Sequence, residues 1–311
     1  MNSIIFFLDD NKRLKNDIIN NLSSQEVDIQ LGELNHQLFS DNERCIDYIS
    51  SVRSKRVYIV TSPNTSDKIM DLMLAMDAAK RASAKEIIPV LPYFPYSRQD
   101  KKDQNRGPIG AKILAEMVEN RGASQVVLFD LHAEQIQSFF NIPVTHIRGK
   151  DVFDRYIENI KSDKILLCAP DAGAAKRVKG FVDKIGGVNF IVMDKTRKKA
   201  NEVHDMIVLG DVEGYDVVII DDLCDTGGTL VKAGEKLLKE GATSVRALVS
   251  HGVLSGPAYD RLNKSPFIEF ICSDSLIIKT SEKIKTFSVS KQIVNVIKSI
   301  NEETSYESIK N

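Results

Sequence analysis

Short apolar runs recur along the chain, separated by longer stretches that mix polar and apolar residues. The runs are three to five residues long, are rich in Val and Ile, and mostly lack the polar alternation of a half-exposed strand. This pattern is typical of strands covered on both faces, as in a parallel sheet flanked by helices. The runs are residues 4–8, 57–60, 87–91, 126–129, 165–167, 190–192, 217–220 and 245–249.

One local pattern occurs three times: the end of a helical stretch, a turn of small residues, and a buried strand. Its copies are residues 80–93, 120–132 and 239–251. Apolar residues at helical spacing between Ile69 and Met76 predict an amphipathic helix before the first copy. The repetition predicts two α/β domains, residues 1–147 and 148–311. In open parallel sheets ligands bind at the carboxyl ends of the strands, so the candidate sites are expected there.

The composition excludes several classes of function. Because 42 basic and 43 acidic residues give a net charge of −1, no overall field attracts nucleic acid or a membrane surface, and we expect neither as a partner. Trp is absent and aromatic residues make up only 7%, which disfavours a stacking platform for single strands. No apolar run approaches the ~20 residues of a membrane span. The four cysteines lack metal-ligand spacing, and a reducing cytoplasm is the expected location.

The strongest chemical motif lies at residues 217–229, where a buried strand ends in two carboxylates and a small-residue loop opens a helix. Backbone N–H groups of the glycines can approach an anion closely, and the helix N-terminus adds partial positive charge. The carboxylates can accept hydrogen bonds from vicinal sugar hydroxyls or hold a hydrated Mg²⁺. The motif favours a sugar phosphate over the alternative of an ordinary capped helix. Its members are Asp221, Asp222, Asp225, Thr226, Gly227, Gly228 and Thr229.

This motif resembles the phosphoribosyl-diphosphate binding loop of the type I phosphoribosyltransferase fold. Segments 94–102, 130–137, 169–173 and 255–257, in that order, narrow the resemblance to the ribose-phosphate pyrophosphokinase family. The resemblance implies two phosphoribosyltransferase-like domains, each a mostly parallel sheet flanked by helices, with ATP on the first and ribose 5-phosphate on the second. It also implies transfer of the diphosphoryl group of ATP to the C1 hydroxyl of ribose 5-phosphate, for nucleotide biosynthesis.

The resemblance assigns roles to five further residues. Lys195 and Arg197 match residues that stabilise the charge developing on the transferred group, and Arg197 also matches a ribose 5-phosphate contact. His132 and Asp171 match ligands of Mg²⁺, the implied cofactor. Asp130 is either a support of that metal or a turn cap. A neutral imidazole and a carboxylate can hold a metal that keeps several waters and takes phosphate oxygens.

The resemblance also implies two loops that bind ATP. The first contains Arg98, Gln99 and Asp100. The second matches a family loop that supplies adenine contacts from a neighbouring subunit, and its matching residues are Phe39, Asp41, Asn42 and Glu43. Asn42 stands where the family has glycine, but Asn tolerates a left-handed backbone, so the turn is expected to persist. A shared site requires an oligomer, and the resemblance implies dimers that assemble into a hexamer.

Control by phosphate and ADP at a second site is implied as well, where Arg53 and Ser83 match family positions. Glu307 stands in place of a usual apolar residue there, which predicts weakened inhibition by ADP. Other departures from the family pattern are Ser138, Asn141, Thr145 and Ala174.

Two alternative functions stay open on the sequence. A phosphoribosyltransferase would share the sugar-phosphate loop, but such enzymes usually have one domain and lack the segments around Arg98 and His132. A non-catalytic regulatory homologue would bind the active enzyme, and the presence of Lys195 and Arg197 argues against it.

Overall fold

A parallel sheet forms the centre of the first of two units into which the chain divides. The computed structural model describes residues 3–102, 104–162, 164–196 and 205–309. The first unit spans Met1–Arg148 together with Val289–Asn311, and the second spans Gly149–Ser288. Within the described ranges, every helix is too short or too polar to cross a bilayer.

Strands and helices alternate through most of the first unit. Its elements are β1 (Ser3–Phe7), α1 (Lys12–Ser24), β2 (Gln30–Leu31), β3 (Leu34–Leu38), β4 (Arg44–Tyr48), β5 (Arg56–Val60), α2 (Ser66–Arg81), β6 (Glu86–Leu91), α3 (Gly110–Asn120), β7 (Val126–Phe129) and β8 (Val144–Ile147). The sheet has strand order β2-β1-β5-β6-β7-β8 with parallel neighbours. Strands β3 and β4 form a separate antiparallel hairpin.

Helix α2 shows how the sequence builds this unit. The helix begins where the Thr65 hydroxyl accepts the backbone N–H of Lys68, which satisfies one of the free donors at its N-terminus. Ile69, Leu72 and Met76 lie on its buried face and join the core of the unit. The amphipathic helix predicted from apolar spacing is confirmed.

The second unit contains α4 (Lys150–Glu158), β9 (Ile165–Ala169), α5 (Ala175–Ile185), β10 (Asn189–Thr196), β11 (Asp205–Leu209), β12 (Asp216–Cys224), α6 (Gly228–Lys239), β13 (Ser244–Gly252), α7 (Ala258–Lys264), β14 (Phe270–Ser273) and β15 (Ile284–Phe287). Its strand order is β11-β10-β9-β12-β13-β14-β15. All neighbours pair in parallel except β10 and β11. The predicted class of mostly parallel sheets flanked by helices is confirmed.

The last helices, α8 (Ser290–Asn301) and α9 (Tyr306–Ile309), belong to the first unit. The structure divides the chain after Arg148, beside the predicted boundary, but residues 289–311 were wrongly assigned to the second domain. Asn301 Oδ1 accepts hydrogen bonds from the Ser3 hydroxyl at 2.8 Å and the Tyr58 hydroxyl at 2.9 Å. These contacts, and the packing of α8 against α1, fix the segment to the first sheet.

Candidate active site

The sugar-phosphate motif lies where β12 leaves the second sheet and α6 begins. Buried residues of β12 lead to Asp221 and Asp222, and α6 starts at Gly228. Gly227, directly before the helix, has a left-handed backbone with φ of +72°, which residues with a Cβ rarely adopt. The first N–H groups of a helix lack partners within the helix. This turn therefore has the donors and the partial positive charge that an anion needs.

The carbonyl groups of this turn are held by the segment that follows β13. Backbone N–H groups of residues 253–255 donate to the carbonyls of Cys224 and Asp225 at 3.0 to 3.1 Å. Arg261 Nη1 donates to the Thr226 carbonyl at 3.1 Å. Three consecutive carbonyls are thus fixed, and this pre-organises the loop before α6.

Two adjacent carboxylates at the end of β12 repel one another. Asp222 is buried, and its Oδ1 lies 4.0 Å from Arg177 Nη2. Burial and repulsion from Asp222 raise the pKa of Asp221 well above its ordinary value. A bound cation, or the donors of a sugar diol, would relieve this repulsion.

Replacing Asp221 by asparagine is expected to stabilise the ligand-free protein. A carboxyl whose folded-state pKa is raised contributes stability only below its unfolded pKa, and that contribution is lost as pH rises through the folded value. The melting temperature of Asp221→Asn should exceed that of the wild type at pH 8, and by a smaller margin at pH 5. Thermal melts in metal-free buffer test this.

The matched control for this experiment is Asp183→Asn, because Asp183 is an exposed carboxylate of the same unit, paired with Lys179. Its melting temperature should stay near that of the wild type at both pH values. An Asp221→Asn variant with the same stability difference at pH 5 and pH 8 would contradict the raised pKa.

Asp171 lies at the same edge of the second sheet. It follows β9, which pairs in parallel with β12. Its Oδ1 accepts the N–H of Ala174 at 3.1 Å and caps the short 3₁₀ turn Ala172–Ala174. Its charge also contributes to the raised pKa of Asp221, so the two carboxylates lie within electrostatic reach. Carboxylate oxygens are suitable ligands for a hard cation such as Mg²⁺.

No protein-only metal cage is formed in the described part of the chain, where no three His, Cys, Asp or Glu side chains are grouped to hold an ion. The carboxylates at the second sheet edge fit an ion that takes most of its ligands from water and phosphate. Of the predicted metal ligands, Asp171 belongs to the second unit, and His132 and Asp130 belong to the first.

A second polar edge occurs at the carboxyl ends of β6 and β7, which pair in parallel. Gln135 Nε2 donates to Asp100 Oδ2 at 2.9 Å, and this bond joins the loop after β6 to the turn after β7. Gln99 packs closely against Gly110: a Cβ atom added at that glycine would lie only 2.7 Å from Gln99 Oε1. Arg98 is exposed. The segment 98–100 therefore lies beside the turn that follows His132.

The turn after β7 is strained at one buried residue. Asp130 has a φ of +38°, and its N–H donates to the Ile147 carbonyl at 2.8 Å. The next N–H, of Leu131, donates to His146 Nε2 at 3.0 Å. Strand β8 thus holds this turn, and His132 is exposed within it. Backbone outliers of this kind concentrate at functional sites.

The second predicted ATP loop is the exposed tip of the hairpin formed by β3 and β4. Asn42 has a φ of +69°, so the left-handed turn expected from the sequence is present. The Phe39 N–H donates to the Glu43 carbonyl at 2.8 Å, and the Glu43 N–H donates to Asp41 Oδ1 at 3.0 Å. Phe39 is 49% exposed, so it is not a core residue.

The two predicted catalytic residues are placed only in part. Strand β10 pairs in parallel with β9, and Lys195 lies near its carboxyl end, opposite Met206 of β11. The backbone of Lys195 is therefore at the same sheet edge as Asp171. Arg197 lies outside the described residues.

Sequence reasoning missed several residues that hold these segments in place. Arg177 faces Asp222 from the first turn of α5, the helix that follows the capping Asp171, a position that a search for cations on that helix could have found. Gln135, His146 and Arg261 bind backbone or side-chain atoms of other segments. These contacts link residues distant in sequence, so no local pattern indicates them.

The chain has two mostly parallel sheets flanked by helices, and a turn suited to bind an anion lies at the carboxyl edge of the second sheet. These features place the chain among the phosphoribosyltransferase-like α/β proteins. Two family models match it: the N-terminal domain of ribose phosphate pyrophosphokinase over residues 3–122, and the phosphoribosyl synthetase-associated domain over residues 167–309. The chain belongs to the ribose-phosphate pyrophosphokinase family.

Individual relatives agree with this assignment. The ribose-phosphate pyrophosphokinase of Porphyromonas gingivalis is 41% identical over 282 residues, which cover 90% of this chain and 89% of that protein. Ribose-phosphate pyrophosphokinase A of Dictyostelium discoideum is 40% identical, with 88% of this chain and 89% of that protein covered. The crystal structure of phosphoribosylpyrophosphate synthetase from Mycobacterium smegmatis matches with a TM-score of 0.88 and 31% identity, over 97% of this chain and 100% of that chain.

Proposed function

We propose that the edge of the second sheet binds ribose 5-phosphate and that the edge of the first sheet binds ATP. The chain is a ribose-phosphate diphosphokinase: it transfers the diphosphoryl group of ATP to the C1 hydroxyl of ribose 5-phosphate, and it forms 5-phosphoribosyl 1-diphosphate and AMP. This product is a precursor in nucleotide biosynthesis. We place the reaction in the cytoplasm, since the four cysteines are free thiols.

The turn at Gly227 is the observation that carries the sugar-phosphate assignment. Its left-handed backbone leads directly into α6, and its neighbouring carbonyls are fixed by residues 253–255 and Arg261. The 5-phosphate would bind the N–H groups of residues 226–229. Asp221 and Asp222 would accept hydrogen bonds from the two ring hydroxyls, as buried carboxylates at the end of a strand can do.

The ATP assignment is supported by the contact between the loop after β6 and the turn after β7. The bond from Gln135 to Asp100 holds the two segments together. Arg98 is exposed at this edge and would pair with phosphate oxygens. Gln99, which packs against Gly110 at the start of α3, would contact the nucleotide.

Mg²⁺ is the cofactor that fits these residues. At the edge of the second sheet Asp171 would be a ligand of the ion, and at the edge of the first sheet His132 is the candidate ligand, on a turn that Asp130 would support. When bound, the ion neutralises phosphate charge and draws electron density from the transferred group. The residues of the chain bind and align the two substrates, and Lys195 and Arg197 stabilise the negative charge that develops during transfer.

A direct assay separates this function from the two alternatives. Purified protein, ATP, Mg²⁺ and ribose 5-phosphate should yield AMP and phosphoribosyl diphosphate in equal amounts, with little AMP when the sugar is omitted. A phosphoribosyltransferase would instead consume phosphoribosyl diphosphate with a base, and a regulatory homologue would form neither product. Absence of sugar-dependent AMP would refute the proposal.

Assembly is predicted by the exposed hairpin tip. If Phe39–Glu43 reaches the ATP of a neighbouring subunit, the active form must contain at least two chains, and we expect dimers that assemble into a hexamer. Multi-angle light scattering at assay concentration should show no active monomer. A monomer with full specific activity would contradict the shared site.

Weak inhibition by ADP is predicted at the second, regulatory site, with some stimulation by phosphate retained. The Ser54 N–H donates to the Ser83 carbonyl at 2.8 Å, which brings the Arg53 turn to Ser83. An arginine and a hydroxyl are suitable phosphate partners, but Glu307 adds an exposed negative charge to the C-terminal part of the predicted site. Assays that vary ADP at saturating ATP test this prediction. Strong inhibition that ATP cannot relieve, and that Arg53→Ala removes, would contradict it.

A further inference from the structure

An ion cluster around one buried carboxylate lies beneath the hairpin of β3 and β4, outside the residues assigned so far. Asp71 of α2 is 3% exposed. Arg44 binds it with both arms of its guanidinium: Nε lies 2.6 Å from Oδ1, and Nη2 lies 2.8 Å from Oδ2. His36 Nε2 lies 3.1 Å from the same Oδ1. A bidentate, charge-assisted pair of this kind fixes geometry as well as adding energy.

The register of the hairpin places this cluster directly below the tip. Arg44 pairs with Leu38, and this is the last pair before the loop Phe39–Glu43. His36 lies two positions earlier on β3, so His36 and Arg44 are on the face that meets α2. Any shift of Arg44 therefore moves the adjoining loop.

The hairpin needs such an anchor because a two-stranded ribbon is marginally stable by itself. Its far end is held by the Tyr48 hydroxyl, which donates to the Ala75 carbonyl at 2.9 Å. Its tip end carries large apolar side chains in solvent, since Leu38 is 59% exposed and Phe39 is 49% exposed. The Arg44–Asp71 pair fixes the strand at this exposed end.

Stability alone is a weak reason for this arrangement. A buried ion pair often adds little net stability compared with apolar residues of the same volume, because both charges must be desolvated. What the pair does supply is a single orientation of the hairpin relative to α2, which an apolar contact specifies less sharply.

We propose that Arg44, through its pairing with Asp71, is a positioning residue for ATP. The pair holds the exposed loop Phe39–Glu43 in the orientation that receives the adenine of a neighbouring subunit. The inference rests on the proposed role of that loop and adds the residues that align it. Arg44 itself does not touch the nucleotide.

The test is a pair of Michaelis constants measured on the Arg44→Met variant. We expect the KM for ATP to rise about tenfold, which corresponds to about 1.4 kcal/mol. The KM for ribose 5-phosphate and the kcat at saturating ATP should stay within about twofold of the wild type. Arg44→Lys keeps the charge without the fork and should give an intermediate KM for ATP. A role in stability alone would lower the melting temperature and leave both constants unchanged.

Arg81→Met is the matched control. Arg81 lies on the same helix and binds Asp77 through Nε at 2.5 Å, but this pair is on the surface and away from the hairpin. The control should leave both Michaelis constants unchanged. If Arg44→Met does not fold, the double variant Arg44→Met/Asp71→Leu replaces the pair by apolar groups and removes the uncompensated buried charge. It should fold and show the same rise in the KM for ATP.

Phe39→Ala separates failure of this inference from failure of the loop assignment. If Phe39→Ala raises the KM for ATP while the folded Arg44 variants do not, the positioning role is refuted and the proposed function stands. If neither change affects the KM for ATP, the loop does not contact the nucleotide, and both the loop assignment and the positioning role are refuted.

Discussion

Lys195→Ala and Arg197→Ala should each lower kcat by about 10²- to 10³-fold, the usual cost of removing one donor that stabilises transition-state charge. The Michaelis constants should change far less, because the charge that these residues oppose develops only during transfer. The position of Lys195 near the carboxyl end of β10 supports this role. Initial-rate measurements over both substrates give the two parameters.

Lys198→Ala is the matched control, since Lys198 belongs to the same basic run as Lys195 and Arg197. General attraction of polyphosphate by the run would make all three variants similar and would act mainly on KM. An unchanged kcat in Lys195→Ala or Arg197→Ala would remove that residue from the mechanism.

Gly227→Val should raise the KM for ribose 5-phosphate at least about tenfold and should affect the KM for ATP much less. The backbone φ of +72° is strained for a β-branched residue, at a cost of about 1–3 kcal/mol. A Cβ would find ordinary contact, with Leu262 Cγ at 3.6 Å. We therefore expect the substitution to displace the backbone of the turn at Gly227 and not to cause a steric clash.

Gly241→Val provides the matched control for the backbone effect. Gly241 has a φ of +99° and lies just beyond the opposite end of α6. Its replacement introduces similar strain far from the turn, so it should lower the melting temperature and leave both Michaelis constants unchanged. If Gly227→Val raises the KM for ATP and leaves the KM for ribose 5-phosphate unchanged, the turn was assigned to the wrong substrate.

Buried strands were the part of the fold that could be predicted from sequence. Every residue of β5 is buried, and such strands stand out as continuous apolar runs. The hairpin strands β3 and β4 were not predicted, because they are short and largely polar, with the sequences LNHQL and RCIDY. The return of α8 to the first sheet was also missed, since it depends on contacts such as Asn301 with Tyr58.

The anion turn at Gly227 could be predicted because its chemistry is local. Its backbone conformation, the adjoining carboxylates and the helix start all lie within one short segment. The assignment of Lys195, Arg197 and His132 required the family resemblance, because a basic run or a single histidine is chemically ambiguous. The supports around them, such as His146 beneath the Leu131 N–H, depend on strand order and could not be predicted from the sequence.

The return of α8 to the first sheet makes the second unit an insertion within the first. During synthesis residues 149–288 emerge before α8, so the second sheet can form while the first still lacks two acceptors from α8: Asn301 Oδ1 for the Tyr58 hydroxyl and the Ile300 carbonyl for Arg56 Nη1. If translation stops before Ser290, the released chain lacks α8, and the resulting defect lies in the half of the chain that was synthesised first. Quality-control proteases would then act on the destabilised region around β1 and β5, which is far in sequence from the missing helix.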